Sequence, residues 1–390
     1  MNKLKVFAKK YIKKDSFVYK IIYKIYRVLS DSKYKITNYS NESEKRKEYS
    51  KQVFSACNII SKYKNEKYIA LYNPKWLGVA NSTKGLFDNI VPLEQVFGNK
   101  NIKKVSNAII GNNIKTVIFS QIVDGWIDII KLLKKNNSDI NIKVIWHANN
   151  FEVFSDYTWG LKKEVLELYD EKLIDCFAFV KKSMVEFYNK TGYKSFYLLN
   201  NTNIIDIGNK ENVDDIRREK EADKIRIGLC NANSRELKNI YTQASAIKLL
   251  GNGIADIVPT YKGIEDFAEK INLEYVSVKD YIPTEDLLER IKNNEVNIYI
   301  TFTECAPMFP LESFEVGVPC LVGNNNDYFQ NTKLGRYVIV NKEDDAMYIK
   351  NKIVECITNK EKLIELYKEW KKDFDKECKE LVKEFIEFNN

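Results

Sequence analysis

The chain has 390 residues, enough for two domains, and 44% of it is apolar, ample for a large core. Its 15 glycines and 7 prolines exclude a collagenous or low-complexity protein, and its single histidine excludes a multi-histidine metal centre. A net charge of +8 favours an anionic partner, and nucleotide, nucleic acid and anionic lipid all qualify on charge alone.

Residues 1–30 carry Lys3, Lys5, Lys9, Lys10, Lys13, Lys14, Lys20, Lys24 and Arg27, interleaved with Leu4, Phe7, Tyr11, Phe17, Ile21, Ile25 and Leu29. This pattern predicts one or two basic amphipathic helices. Two readings stay open: a helix lying on an anionic membrane surface, or one packing its apolar stripe on its own domain. Residues 31–55 are polar and read as an exposed linker or helix. No run approaches the ~20 apolar residues that span a bilayer, and residues 1–30 do not read as a cleavable signal. The 7 cysteines are scattered without a Cys-x-x-Cys pair, as expected of free thiols in a reducing compartment. The expected location is cytoplasmic, with the inner face of the membrane as the surface that residues 1–30 would meet.

From Lys67 onward, apolar runs at Tyr68–Tyr72, Thr116–Phe119, Ile142–Trp146, Cys176–Val180 and Phe196–Leu199 predict strands. Helical patterns separate them near 82–97, 124–136, 160–171 and 181–190. A charge-dense stretch follows, and the alternation then restarts. Strands are expected at Ile225–Cys230, Ile254–Val258, Tyr275–Val278, Val296–Phe302 and Pro319–Val322, with Tyr337–Val340 at an edge. Helices are expected near 239–250, 262–271, 284–293, 311–316 and 343–357, Thr284 capping the third. Lys360–Phe388 reads as one long helix. The alternation predicts an α/β protein with two parallel sheets covered on both faces. The expected organisation is a basic helical segment over 1–60, a Rossmann-like domain over 61–200, a linker over 201–224, a second such domain over 225–358 and a C-terminal helix over 359–390.

In open α/β sheets ligands bind beyond the carboxyl ends of the strands, near helix N-termini. Glu304 and Glu312 fall there, after the Val296 run and at the start of the next helix. A carboxylate accepts several charge-assisted hydrogen bonds and so suits adjacent sugar hydroxyls. The plainer alternative makes Glu312 a complement to the helix dipole and Glu304 a solvated loop residue. After the Ile225 strand, Arg235 and Lys238 stand three residues apart at a strand-to-helix turn, a planar fork and a mobile charge suited to a diphosphate. Solvated basic residues at a helix start are the alternative.

The spacing of Glu304, seven residues, Glu312 and then Gly317-Val318-Pro319 resembles the donor-sugar motif of retaining GT-B glycosyltransferases, family four in particular. The resemblance is strongest over 296–323 and implies two Rossmann-like domains facing one cleft. It implies that Glu304 bonds the transferred sugar, Glu312 the ribose, and Arg235 with Lys238 the pyrophosphate. Tyr281 and Ile282 stand where such enzymes hold the nucleobase, with core packing as the other reading. Pro307 and Pro310 interrupt the loop that relatives make glycine-rich and lack an N–H. The amide cradle falls to Met308, Phe309, Leu311 or Glu312. In the first half, Lys75 to Lys84 would border donor phosphates and acceptor, Gly78 letting the backbone approach and Asn81 or Ser82 capping a helix. His147, after the third strand, is either a sugar contact or a satisfied structural residue. Asn149, Asn150 and the aromatic run to Trp159 suit an acceptor, or a packed lid.

The implied activity is transfer, with retention, of a hexosyl group from a nucleotide-diphosphate sugar to a saccharide, lipid-linked or part of a surface polysaccharide. No Asp-x-Asp pair follows a strand, so no metal and no cofactor is expected. A nucleic-acid partner is not expected, since no recognition motif accompanies the charge. The competing readings are a non-catalytic GT-B subunit that binds saccharide or steadies a partner, and a nucleotide-sugar epimerase on the same fold.

Overall fold

The computed structural model describes residues 48–150, 156–202, 224–230 and 235–389. The expectations for residues 1–30, for Phe151–Ser155, for most of the linker and for the loop Asn231–Ser234 lie outside the described residues.

Two six-stranded sheets carry the fold. The first contains β1 (Tyr68–Tyr72), β2 (Ile90–Pro92), β3 (Thr116–Ser120), β4 (Asn141–Trp146), β5 (Cys176–Phe179) and β6 (Ser195–Tyr197) in the order β2-β1-β3-β4-β5-β6. The second contains β7 (Ile225–Cys230), β8 (Gly253–Val258), β9 (Glu274–Ser277), β10 (Val296–Tyr299), β11 (Cys320–Gly323) and β12 (Ile339–Val340), ordered β12-β11-β10-β7-β8-β9. Every pairing is parallel. Interior strands such as β3 are buried at every position, which is why Val117-Ile118-Phe119 reads as a continuous apolar run rather than an alternating one. Successive residues nonetheless serve opposite faces. Ile69, Leu71, Val117 and Phe119 enter one core, whereas Ala70 and Ile118 enter the other.

The pleat explains a lysine in the middle of β4. Lys143 is fully buried and its ammonium donates to the carbonyls of Phe385 at 2.5 Å, Ile386 at 3.1 Å and Phe388 at 2.6 Å. Those are the unpaired carbonyls ending the helix Lys360–Glu387, so a first-sheet cation caps the C-terminal helix. The helix starts against the second sheet, where Tyr367 stacks on Phe314, and ends against the first, where Phe385 meets Phe196.

Several local expectations need correction. The helix expected over 82–97 is Leu77–Leu86, followed by the unanticipated strand β2 and helix Asn99–Gly111. Ser82 therefore caps nothing; it is buried in mid-helix. Pro283, not Thr284, occupies the cap of the helix Thr284–Ile291, because the chain is already helical at Thr284. Half of the edge run Tyr337–Val340 is helical turn, leaving β12 two residues long. The polar stretch 31–55 runs into a helix over 48–62 whose Val53, Ala56 and Ile60 are buried in the first core.

Candidate functional site

Each sheet reverses its order once, and both reversals face one cleft of about 900 Å³. In the second sheet β7 and β10 lie side by side while their crossovers run to opposite sides, which opens a crevice at their carboxyl ends. Arg235 and Lys238 follow β7 there, and Glu304 follows β10. In the first sheet the reversal lies between β1 and β3. The segment Lys75–Val79 follows β1, Gln121 follows β3 and His147 follows β4, all lining the same cleft.

Lys238 is buried and forms an ion pair with Glu304 across the floor. Tyr299, the last residue of β10, bonds both: its hydroxyl donates to the Glu304 carboxylate at 2.6 Å and accepts from Lys238 at 2.7 Å. The Arg235 side chain is exposed on the same wall. Glu312 differs from Glu304. It is only 8% exposed, lines the cleft, and its carboxylate has no hydrogen-bond or ion-pair partner among the described residues. Burial alone pushes its pKa up to about 7. It lies in the first turn of the helix Phe309–Glu315, with Pro310 in that same turn. Val258, Pro259, Tyr281, Ile282 and Leu287 give this wall an apolar and aromatic end, Tyr281 being 63% exposed.

On the facing wall, His147 is held in a network of neutral hydroxyl groups. Nε2 of His147 lies 2.8 Å from the Ser120 hydroxyl and Nδ1 lies 3.4 Å from that of Ser82. Ser82 in turn donates to Asn200 at 2.5 Å, and Thr83 meets Ser120 at 2.6 Å. Burial lowers the imidazole pKa to about 4, so the ring is neutral at pH 7. Both ring nitrogens already have partners, which is the satisfied-residue reading of His147. A direct sugar contact would have to replace the longer Ser82 one. Gly78 sits in the first turn of the helix Leu77–Leu86, and a methyl group added there would meet nothing within 4 Å.

Other expected site residues fall elsewhere. Leu311 is fully buried in the core and does not line the cleft. Asn149 is buried and donates to the Thr303 hydroxyl at 2.7 Å, tying the two halves together. Asn150 and Trp159 are exposed outside the cleft lining, and it is Thr158 that reaches the lining. Lys75 lines the cleft but pairs with Glu94 at 2.6 Å. Conversely, Tyr299, Gln121 and Asn200 line the cleft and carried no sequence assignment. Asn200 is the first polar residue beyond the run Phe196–Leu199 and Gln121 the second beyond Thr116–Phe119, a signal that chain order alone could have supplied. Tyr299 is hidden inside an apolar run.

No protein-family model matches the sequence, and no curated relative matches it. Solved structures match the fold over most of their length. Anabaena Alr3699/HepE in complex with UDP-glucose matches at TM-score 0.54 and 11% identity, covering 77% of this chain and 92% of that one. Trehalose-6-phosphate synthase OtsA matches at TM-score 0.55 and 10% identity, covering 82% and 98%. Sucrose-phosphate synthase from Thermosynechococcus elongatus matches at TM-score 0.51 and 12% identity, covering 82% and 94%. The architecture is thus the GT-B fold expected from the sequence, and at such identities the likeness is one of fold. No described helix is long and apolar enough to cross a membrane.

Proposed function

We propose that this protein is a retaining, metal-independent glycosyltransferase acting on a nucleotide-diphosphate sugar, with a saccharide acceptor that is lipid-linked or part of a surface polysaccharide. The observation that carries the reading is Glu312. An ionisable group buried to 8% exposure, without a partner among the described residues and lining a cleft that Arg235 and Lys238 also line, is costly unless a ligand supplies hydroxyl donors. Ribose hydroxyls fit that need. Arg235 and Lys238 would neutralise the diphosphate, and Tyr281 with Ile282 would meet the base. Glu304 would bind hydroxyls of the sugar once the diphosphate draws Lys238 from it. The acceptor oxygen would then bond to the anomeric carbon on the face the diphosphate leaves. The acceptor proton would pass to the departing phosphate oxygen. The basic residues 1–30 are the part of the chain suited to an anionic membrane that presents such an acceptor.

A second reading, a GT-B subunit that binds sugar without transferring it, is favoured by one feature: the Glu304 carboxylate is already engaged by Lys238 and Tyr299. A thermal-shift screen against UDP-, GDP-, CMP- and dTDP-sugars separates these readings from non-binding, because a ligand specific for the folded state must raise its stability. The expected outcome is one donor that shifts the wild type but neither Glu312→Ala nor Arg235→Ala. Hydrolysis or transfer of that donor then distinguishes enzyme from subunit. No shift with any donor would sink the assignment.

A further inference from the structure

The loop that carries Glu304 belongs to the second half, yet three side chains of the first half hold it. Asn149 donates to the hydroxyl of Thr303 at 2.7 Å, Lys181 to the carbonyl of Glu304 itself at 2.9 Å, and Asn200 to the carbonyl of Ala306 at 2.8 Å. Lys181 does more than its neighbours. It is half-buried just beyond β5, and its ammonium also donates to the carbonyl of Asn325 at 2.8 Å in the loop after β11. One first-half cation therefore staples together the loops that follow β10 and β11. The adjacent amide of Lys182 and the hydroxyl of Tyr197 both donate to Asp327, at 2.6 and 3.0 Å, fixing the far end of the second loop.

We infer that Lys181 is a positioning residue for Glu304, so that the first half sets the geometry of the donor-sugar site. This rests on the function proposed above. The Glu304 main chain sets the point from which its carboxylate reaches into the cleft, and charge-assisted bonds to that main chain are about twice as strong as neutral ones. Lys181 does not line the cleft, so its effect must pass through the backbone that it grips.

The test is a double-mutant cycle with Lys181→Met and Glu304→Gln, measured with the donor found in the screen and with its free nucleoside diphosphate. Misplacing a binding group by an ångström can cost about 100-fold, so Lys181→Met should lower kcat/KM for the nucleotide sugar by roughly 10- to 100-fold. Affinity for the nucleoside diphosphate, which lacks the sugar, should stay within about twofold, and Lys181→Met should add little on the Glu304→Gln background. Lys181→Arg, which keeps the charge, should recover part of the loss. Additive effects in the cycle, or equal losses of sugar and diphosphate binding, would overturn the inference while leaving the proposed function intact. Wild-type protein that binds neither ligand would overturn that function, and this role with it. Should Lys181→Met fail to fold, Asn149→Ala carries the same cycle with a smaller loss, and additivity there counts against the positioning role equally.

Discussion

The two walls of the cleft solve the problem of polarity in opposite ways. The first-half wall is closed on itself: a neutral imidazole sits among Ser82, Ser120, Thr83 and Asn200, each with a partner in that network. Lys75 is the one charged side chain described in its lining. The second-half wall gathers Arg235, Lys238, Glu304 and Glu312, and leaves one carboxylate buried without a partner among the described residues. A satisfied network fixes shape, whereas on the function proposed above the unpaired carboxyl would take its hydrogen-bond partners from the ligand. That reading gives charge recognition to the second half and orientation to the first.

The comparison breaks most visibly at Lys238. Its side chain is 8% exposed and that of Glu304 17%, so Lys238→Met strands a buried carboxylate. The expected loss is about 3–5 kcal/mol of stability. Adding Glu304→Gln should restore all but roughly 1 kcal/mol, since the stranded charge is gone. Chemical denaturation of the two variants measures this. A double variant no more stable than the single one would mean that Lys238 supports the fold through packing rather than through the pair.

Next in size is a pH effect that sets the two walls against each other. The folded pKa of Glu312 is raised to about 7 from an ordinary 4.5, so the folded state keeps a proton that the unfolded state has lost. Stability from this group is present below the unfolded value and is lost as pH rises from about 4.5 to about 7, by roughly 3 kcal/mol in total. His147 runs the other way. Its folded pKa is lowered to about 4 from 6.5, so its contribution is present above 6.5 and lost as pH falls toward 4. Between about 4.5 and 6.5 the two slopes oppose, and the wild-type profile should be nearly flat. Glu312→Gln should then show stability rising with pH in this window, and His147→Gln stability falling. Melting temperatures from pH 4.5 to 7 read both, and parallel profiles for the two variants would remove this contrast between the walls.

What the sequence made legible follows the same division. Arg235, Lys238, Glu304 and Glu312 line the cleft that their place after parallel strands pointed to, because such strands bring their carboxyl ends together, although solvated loop and helix-start positions were the open alternative. Lys181 could not be assigned, because its partners are main-chain carbonyls more than 100 positions away and leave no local pattern. Two expected residues lie outside the cleft lining: helix phase turns the Leu311 side chain into the core, and Trp159 stands one position beyond the residue that reaches the cleft. The missed helix Asn99–Gly111 has lysines and asparagines on its outer face, so composition argued for loop while its buried Ile102, Val105 and Ile109 carry the helical period.

The smallest effect tests whether the first-half wall touches the ligand at all. Gly78 lies in a helix where a methyl group would meet nothing within 4 Å, so alanine is accommodated in the free protein. Replacing a helical glycine removes backbone freedom from the unfolded chain, and Gly78→Ala should gain about 0.5 kcal/mol of stability. If the ligand closes against this backbone, the same methyl group must intrude on it. Donor or acceptor affinity should then fall while the melting temperature rises. That opposition is informative because a variant that merely damaged the fold would lower both. Unchanged affinity would move the ligand away from the first turn of this helix and leave the first-half wall a spectator at that point.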